Sequence, residues 1–412
     1  MLKKIKIIAL VMVVTFAFSF FSSCVFIEPN YEETETGSYI DQIQALLPES
    51  SQNPELFKTL AYIDYLYQQN YVGEIDNDEL TYYLMNAYIM CIGDPYGAYY
   101  SPEEVEELFN STQGVNVGIG VYVKHNQETN EIKVLTAMDN TPAKNAGIIS
   151  GDIIAKVNGE DLSKLDYNEA VNKITGPEGS EVLITILRDG EYMDIPIKRN
   201  KYEAQNVFYR KYELDPTVGI IKIIDFTDVL PAQFKNAVNS LMADGCTSII
   251  FDLRENGGGT LDSCVNVLDY LLPKGDIVKI TDMDGTLVNK YTSDSSEIDI
   301  PMAVLVDGNT ASAAELFTCA LKDYDKAIIV GTKTYGKGCM QTILKLPNGG
   351  ALRITTQMYN PPVSENYDQK GITPDIVVEL GSELKDLSHY FEISDKDDNQ
   401  MKSAYEALKN SK

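Results

Sequence analysis

The chain is poor in histidine, since only His125 and His389 occur among its 412 residues. Neither stands in a glycine-rich segment or at the start of a predicted helix. A Ser-His-Asp triad needs a histidine beside the nucleophile, so this chain has little material from which to build one. If the protein is a hydrolase with a hydroxyl nucleophile, we expect a lysine to serve as its base.

Positive charge is also scarce: 34 lysine and arginine residues stand against 61 aspartate and glutamate residues, for a net charge of −27 at pH 7. Nucleic-acid binding and broad attraction to anionic lipid both need basic surfaces, so both are disfavoured. The sequence contains no H-E-x-x-H motif and no paired metal-ligand spacing. We therefore expect no nucleic-acid partner and no metal, and no cofactor is predicted.

Cysteine is sparse and irregularly spaced. Apart from Cys24, which belongs to the amino-terminal segment, five cysteines occur without metal-ligand spacing. An odd, scattered set is typical of small buried residues and not of a disulfide framework. These five are Cys91, Cys246, Cys264, Cys319 and Cys339. Cys339 lies near Lys337, and a neighbouring lysine can make a thiol reactive.

Two small-residue segments offer a nucleophile and a base. Ser312 follows an apolar strand predicted at 303–306 and lies in the first turn of a helix predicted over 311–321. Lys337 lies in a glycine-rich loop after a second apolar strand, predicted at 327–330. Open α/β sheets place their sites at the carboxyl ends of such strands. A lysine can accept the serine proton only if burial lowers its pKa from about 10.4 to roughly 7–8.

A third segment offers backbone donors for an oxyanion. The apolar run at 248–253 ends in a turn that contains Gly257 and Gly258. Glycines at a strand-to-helix turn let the backbone approach a ligand and direct N–H groups at it. Gly257 or Gly258 is therefore expected to act beside the Ala313 N–H. Taken singly, each of the three segments also fits a structural role as a helix cap, a solvated turn or a plain loop.

The order of these segments resembles that of the carboxyl-terminal processing, or tail-specific, serine peptidases. That family carries D-L-R-x-N-x-G-G, then S-A-[SA]-E, then G-K-G-x-x-Q, and the matching stretches here are 252–258, 312–315 and 336–341. The resemblance implies that Ser312 is the nucleophile, Lys337 the general base, and Gln341 the residue that hydrogen-bonds and orients the lysine. Residue chemistry alone leaves Lys333 open as a rival base, and only the motif selects Lys337.

Between the amino-terminal region and these segments lies a module that resembles a PDZ domain. Gly118, Ile119, Gly120 and Val121 stand in the place of its carboxylate-binding loop. In such a loop, successive N–H groups bind a terminal carboxylate while the peptide adds a strand beside it. Val171, on the helix that follows, would help to line a pocket for an apolar last side chain. The alternative is that the glycines serve a hairpin and Val171 belongs to the core.

The start of the chain predicts export. Three lysines in the first six residues precede an apolar run at 7–21, which is the arrangement of a bacterial signal sequence. The stretch 21–24 resembles a lipobox, so Cys24 is the expected lipidation site. A competing interpretation is an uncleaved transmembrane anchor, because the apolar stretch approaches the roughly 20 residues of a spanning helix. Both interpretations tether the protein to the membrane, outside the cytoplasm.

We expect an α/β and α+β multidomain fold, in which, as the resemblance implies, a crotonase-like α/β peptidase core carries an inserted PDZ-like domain and an N-terminal helical region. The expected parts are an export segment at 1–24, a linker at 25–38, a helical region at 39–112, the PDZ-like domain at 113–200, the peptidase core at 201–385 and a C-terminal tail at 386–412.

The expected function is that of an extracytoplasmic serine endopeptidase that binds polypeptide C-termini through its PDZ-like domain and cleaves near them. Two alternatives come from other classes. One is a catalytically silent, membrane-tethered protein that binds C-terminal peptides. The other is a non-proteolytic crotonase-like enzyme that holds a thioester oxyanion in its glycine turns, and the export signal counts against it.

Overall fold

The computed structural model describes residues 53–126, 129–381, 384 and 393–410. The predicted export segment, with Cys24, lies outside the described residues. The chain divides into two compact units, Met1–Thr81 and Tyr82–Lys412. No helix among the described residues is both long enough and apolar enough to cross a membrane.

The amino-terminal part is helical. Its elements are α1 (Pro54–Asn70), α2 (Asn77–Ile92), β1 (Ala98–Tyr100) and α3 (Pro102–Gln113). Helices α1 and α3 both begin at a proline, which suits the first helical position because its missing N–H has no intrahelical partner there. Ahead of α3, the Ser101 N–H donates to the Glu104 carboxylate and the Glu104 N–H donates to Ser101 Oγ, which is a capping box.

The next module is a small β-rich domain. Its elements are β2 (Val115–Gly118), β3 (Val121–Asn126), β4 (Glu131–Ala137), α4 (Pro142–Asn145), β5 (Ile153–Val157), β6 (Glu160–Asp161), a 3-10 helix (Leu162–Lys164), α5 (Tyr167–Ile174), β7 (Glu181–Arg188), β8 (Glu191–Lys198) and β9 (Asn200–Glu203). The sheet order is β3-β4-β5-β7-β8, so β3 is an edge strand. The entry strand β2 pairs with the exit strand β9, which closes the module where it leaves the rest of the chain.

The remainder of the described chain forms an α/β core. Its elements are β10 (Val207–Tyr212), β11 (Asp215–Ile223), α6 (Leu230–Ala243), β12 (Ser248–Asp252), α7 (Leu261–Leu271), β13 (Gly275–Thr281), β14 (Leu287–Ser293), β15 (Met302–Val306), α8 (Ala313–Asp323), β16 (Ala327–Gly331), β17 (Cys339–Lys345), β18 (Ala351–Asn360), β19 (Ile376–Val377) and α9 (Asn399–Asn410). The main sheet has the order β10-β11-β12-β15-β16-β19. All its neighbouring pairs are parallel except β10 with β11.

Both faces of the main sheet are covered. On one face, helices α6, α7 and α8 enclose a core in which the rings of Phe234, Phe251 and Phe317 contact one another. On the other face, α9 buries Met401 and Leu408 against the sheet. Each such side chain contributes about 1.5–3 kcal/mol through burial. In a second sheet, β18 pairs with β13, with β17 and with the amino-terminal β1.

The expected fold class is confirmed: an α/β core follows a small inserted β-rich module and an amino-terminal helical region. The described part of the segment predicted as a C-terminal tail contains α9, which packs on the core sheet.

Candidate active site

Three loops meet at the carboxyl edge of the main sheet. Strands β12, β15 and β16 are parallel neighbours, so their carboxyl ends lie side by side. The loops that follow them, at 253–260, 307–312 and 332–338, carry the glycine turn, the serine and the lysine that the sequence singled out. The topology therefore brings the three predicted segments to one place.

Ser312 is the residue immediately before α8, because this helix begins two residues later than the start predicted at 311. Its backbone has φ 56° and ψ −118°, which is unusual for a residue that is not glycine. Such a conformation costs on the order of 1–3 kcal/mol and persists only where its surroundings enforce it. The Ala311 N–H donates to the Asn256 carbonyl at 2.9 Å, which joins the serine loop to the glycine turn. A strained turn of this kind directs a nucleophile out of the fold.

Glu315 joins the serine loop to the lysine loop. It is fully buried. Its carboxylate accepts hydrogen bonds from the Ser312 N–H at 3.0 Å and from the Lys337 N–H at 2.8 Å, both at Oε2. Its other oxygen accepts from the Gly336 N–H at 2.7 Å and from Thr334 Oγ1 at 2.6 Å. Burial raises the pKa of Glu315, and these four donors oppose that rise because they favour the charged form.

The sequence motif includes Glu315, but residue chemistry assigned it no role. Its position three residues after a serine at a helix start is a capping-box signal. That signal identifies its bond to Ser312. It carries no information about the lysine loop, because that contact spans 22 residues.

Lys337 is half-buried, and its Nζ lies over the ring of Tyr96 at 4.7 Å from the ring centroid. Burial lowers the pKa of Lys337, and the charge of Arg353 lowers it further, whereas Cys339 and Asp94 act in the opposite direction. Lys333, the rival base, is exposed. The environment that a neutral lysine needs therefore exists at Lys337 and not at Lys333.

Tyr96 lies in a segment that the sequence marked only as a turn. Its approach to Lys337 joins residues far apart in the chain, so local patterns contain no signal for it. The same segment includes Asp94, whose carboxylate accepts from the Thr355 N–H and from Thr355 Oγ1, each at 2.9 Å.

Gln341 lies on β17 beside this network. Its Nε2 donates to Thr355 Oγ1 at 3.3 Å and to Cys339 Sγ at 3.4 Å. Its contact with Lys337 stays a prediction. Cys339 is buried, and burial raises the pKa of its thiol to about 11, which disfavours the reactive thiolate. The five described cysteines are free thiols, all buried except Cys91.

The glycine turn lies against the serine loop. A Cβ at Gly258, where φ is +110°, would lie 2.8 Å from Ser312 Cβ and 2.9 Å from the Ala313 nitrogen. The Gly258 N–H itself donates to Asn256 Oδ1 at 2.8 Å. Within the part of the chain that the structure describes, no hydrogen bond to protein uses the N–H of Gly257 or that of Ala313.

The predicted carboxylate loop lies beside the edge strand β3. Gly118 ends β2, and Ile119 and Gly120 connect it to Val121 at the start of β3. Gly120 has φ +82°, and a Cβ there would lie 2.3 Å from Thr141 Cβ. Across residues 53–126 and 129–381, no acceptor takes the N–H of Ile119 or Gly120. Two donors and a free strand edge therefore lie together.

A cavity of about 400 Å³ continues from this loop. Val121, Val171 and Tyr167 all line it. Its other wall comes from the core, through Ile224 and Glu255 among others. The core thus forms one wall of the groove of the small module.

Among the described residues, no group of three or more histidine, cysteine, aspartate or glutamate side chains is arranged to hold a metal ion.

Comparison with known proteins agrees with this architecture. The model of Peptidase family S41 matches residues 217–378, and the model of the PDZ domain matches residues 133–188. A protein of Bartonella bacilliformis named "Carboxy-terminal-processing protease" is 34% identical over 355 residues, which cover 84% of this chain and 80% of that protein. A Staphylococcus aureus protein named "Probable CtpA-like serine protease" is 34% identical over 313 residues, which cover 75% of this chain and 62% of that protein.

Among solved structures, that of an S41-family protein from Bacteroides fragilis covers 85% of this chain and 97% of its own, with a TM-score of 0.54 and 15% identity. That likeness concerns the fold. Together, the fold and the site define a serine peptidase with an inserted PDZ domain. The chain belongs to the C-terminal-processing serine proteases of peptidase family S41.

Proposed function

We propose that the protein is an extracytoplasmic endopeptidase with a Ser312–Lys337 dyad, which binds polypeptide C-termini in its PDZ groove and cleaves near them. The observation that carries this proposal is the bonding of Glu315. One buried carboxylate oxygen accepts from the backbone of Ser312 and from that of Lys337, so the two residues belong to one braced structure. Such bracing is what a nucleophile and its base require.

The chemistry follows from the groups present. Neutral Lys337 accepts the proton of Ser312 as the serine oxygen attacks the scissile carbonyl carbon. The carbonyl oxygen becomes an oxyanion, which the N–H groups of Ala313 and Gly257 stabilise. When the tetrahedral intermediate collapses, the C–N bond breaks and the lysine returns its proton to the leaving amine. Water, deprotonated by the same lysine, then hydrolyses the ester, releases the carboxylate and restores the serine.

Of the two candidate glycines, Gly257 is the better oxyanion donor. The Gly258 N–H is already bonded to Asn256, whereas no described group accepts from the Gly257 N–H. Gly258 serves by having no side chain, since a Cβ there would collide with Ser312. The structure contains no hydrogen bond between Ser312 and Lys337, whose Nζ lies over Tyr96. We infer that the lysine moves to the serine in the substrate complex, since catalytic bonds often tighten only there.

The groove beside β3 suits an extended C-terminus. The carboxylate would bind the N–H groups of Ile119 and Gly120 while the peptide backbone pairs with the free edge of β3. The last side chain would then contact Val121 and Val171, so an apolar residue is favoured at that position. We further propose that Cys24, by lipidation, or a transmembrane amino-terminal segment anchors the protein to the membrane, on the basis of the three lysines and the apolar run that precede it.

The test is a set of peptides that differ only in their last three residues, digested by the full chain and by Ser312→Ala and Lys337→Ala. We expect cleavage that depends on an apolar last residue and that is lost in both variants. Binding of the same peptides to Ser312→Ala should persist. Cleavage that is equal in all three proteins would remove the dyad. Binding without any cleavage by the unmutated protein would favour a silent peptide-binding protein.

A further inference from the structure

A buried charge cluster joins the C-terminal helix to the glycine turn. Arg254, in the turn after β12, is the largest side chain that is almost completely buried, at 1% exposure. Its guanidinium donates to the carboxylate of Asp252, at the end of the same strand, at 2.7 Å. It also donates to Asp398 at 2.9 Å and to Gln400 Oε1 at 3.1 Å. The last two acceptors come from α9 and the residue before it.

The cluster is charge-dense and buried, so removing a partner from it is costly. Lys222 also donates to Asp252, at 3.3 Å, and to the carbonyl of Arg254. Burial alone would raise the pKa of Asp252, but Arg254 and Lys222 outweigh burial and hold that pKa below its ordinary value. Arg254 is therefore held both at its guanidinium and at its backbone carbonyl.

From Arg254 the connection continues to the oxyanion donors. Two residues on, Asn256 accepts from the Gly258 N–H through its side chain and from the Ala311 N–H through its carbonyl. These bonds set the direction of the Gly257 N–H and the position of the loop before Ser312. A shift of Arg254 would therefore be transmitted to the atoms that surround the oxyanion.

We propose that Asp398 and Gln400 are positioning residues for the peptidase reaction, acting through Arg254 to hold the Gly257 N–H in the direction of the oxyanion. The C-terminal helix is then part of the catalytic framework. This inference rests on the proposed serine peptidase function. It concerns a segment whose sequence shows only charge and a helical pattern.

The chain offers a matched control in Asp395. Asp395 and Asp398 are both buried, and each accepts from an arginine and from one backbone N–H. The arginine of Asp395 is Arg210 on β10, which lines one cavity with Arg254 but whose side chain is 48% exposed. Replacing Asp395 therefore weakens the attachment of the same segment and removes none of the three side-chain acceptors named above for Arg254.

The experiment compares Asp398→Asn with Asp395→Asn in the full chain. For Asp398→Asn we expect kcat to fall about 10- to 100-fold while KM stays within about threefold, because a small misplacement of a catalytic donor has effects of that order. A peptide aldehyde, whose adduct carries an oxyanion, should lose affinity by the same factor. Asp395→Asn should keep kcat and aldehyde affinity within about twofold, even where its Tm falls equally.

Equal losses of kcat in the two variants, or unchanged kcat in Asp398→Asn, would overturn the inference. If Asp398→Asn does not fold, Gln400→Ala is used in its place, because this variant removes one acceptor of Arg254 without removing a charge. Unchanged kcat and unchanged aldehyde affinity in Gln400→Ala would equally overturn the inference. Ser312→Ala in the same assay separates the two proposals. If Ser312→Ala cleaves the peptide as fast as the wild type, both the proposed function and this inference are wrong. If cleavage requires Ser312 but kcat is unchanged in Asp398→Asn, only this inference is wrong.

Discussion

Two loops of this molecule carry backbone N–H groups for which no described residue provides an acceptor, and they are built differently. Under the proposed function, one loop binds a carboxylate and the other an oxyanion. The loop at Ile119 and Gly120 is flanked by apolar side chains and a free strand edge. The turn at Gly257 is held by the buried side chain of Asn256, and the serine loop before Ala313 is held by the buried carboxylate of Glu315. A binding loop needs only to be available, whereas an oxyanion hole must already be in place before charge develops.

Backbone strain follows the same division. In the binding loop, the left-handed position is occupied by glycine, at Gly120. At the catalytic site it is occupied by Ser312, a residue that needs support to hold such a conformation. Glu315 supplies that support from the lysine side and Asn256 from the glycine side. We therefore expect substitutions at the catalytic site to reduce kcat, and substitutions at the binding loop to raise KM.

Removal of the base should have the largest effect. Lys337→Ala should lower kcat at least about 10³-fold, because no other group near Ser312 offers a neutral amine. Lys333→Ala is the matched control, since Lys333 lies four residues earlier and is exposed. It should leave kcat within about twofold, measured on the same peptide. A large loss in Lys333→Ala with activity retained in Lys337→Ala would reverse the assignment of the base.

Glu315→Gln should rank next, with kcat about 10²-fold lower and stability lower by about 1–3 kcal/mol. Four groups donate hydrogen bonds to the carboxylate of Glu315. In glutamine an NH₂ group replaces one of the two oxygens, so at least one of these buried donors loses its acceptor. Asp375→Asn serves as control, because Asp375 also accepts a backbone N–H, that of Ile329, at 2.9 Å but lies in another loop. Kinetics and urea unfolding measure the two effects. A stability loss without a kcat loss would mean that Glu315 braces the fold and not the site.

The pH dependence should be set by the catalytic region alone. Burial lowers the pKa of Lys337, and the base must be neutral, so kcat/KM should rise about tenfold per pH unit below that pKa and level off below about 10.4. The sign for stability agrees: the unfolded chain holds more protons at this lysine, so its contribution to stability grows as pH rises. Peptide binding to Ser312→Ala, measured over the same range, should lack this rise. A kcat/KM that rises only near the ordinary lysine pKa would show that the lysine is solvated.

Gly120→Ala should affect the other loop. A Cβ at this position would lie 2.3 Å from Thr141 Cβ, so the loop must shift and its N–H groups must turn. We expect KM for C-terminal peptides to rise about tenfold while kcat at saturation stays within about twofold. Gly147→Ala is the control, since Gly147 has φ +84° in the same module with open space around it. It should lower stability by about 1 kcal/mol and leave KM unchanged. Equal KM values in the two variants would place the carboxylate elsewhere.

How much of this could be read from the sequence differs between the two regions. The residue pattern predicts a helix at 167–174 and a strand at 181–188 in the PDZ-like module, and a helix at 230–242 in the core. The structure has the first two with those bounds and ends the third at Ala243, one residue later. Local periodicity was sufficient because these elements bury one regular face. The core strands at 303–306 and 327–330 were predictable for a different reason, since each is a continuous apolar run buried on both sides.

Contacts between distant parts of the chain were not predictable. Three contacts depend on how the elements pack, and no local sequence pattern predicts them. They are the approach of Tyr96 to Lys337, the hydrogen bond between Arg254 and Asp398, and the position of Glu255 in the wall of the PDZ groove. The charged stretch before α9 illustrates this limit. Its aspartates look like solvated tail residues in the sequence, yet Asp395 and Asp398 are buried acceptors for arginines.

The smallest effect should come from Val171→Ala, and it sharpens the comparison most. The side chain lines the groove without any hydrogen bond, so its loss should raise KM by only about threefold for peptides that end in leucine or valine, through lost apolar contact. Peptides that end in alanine should bind both proteins equally, because the methyl groups removed have no partner in that complex. This pairing of variant and peptide isolates one contact, as a double-mutant cycle does. A change in kcat, or an equal KM change for all peptides, would mean that the groove communicates with the catalytic turn through the wall they share at Glu255.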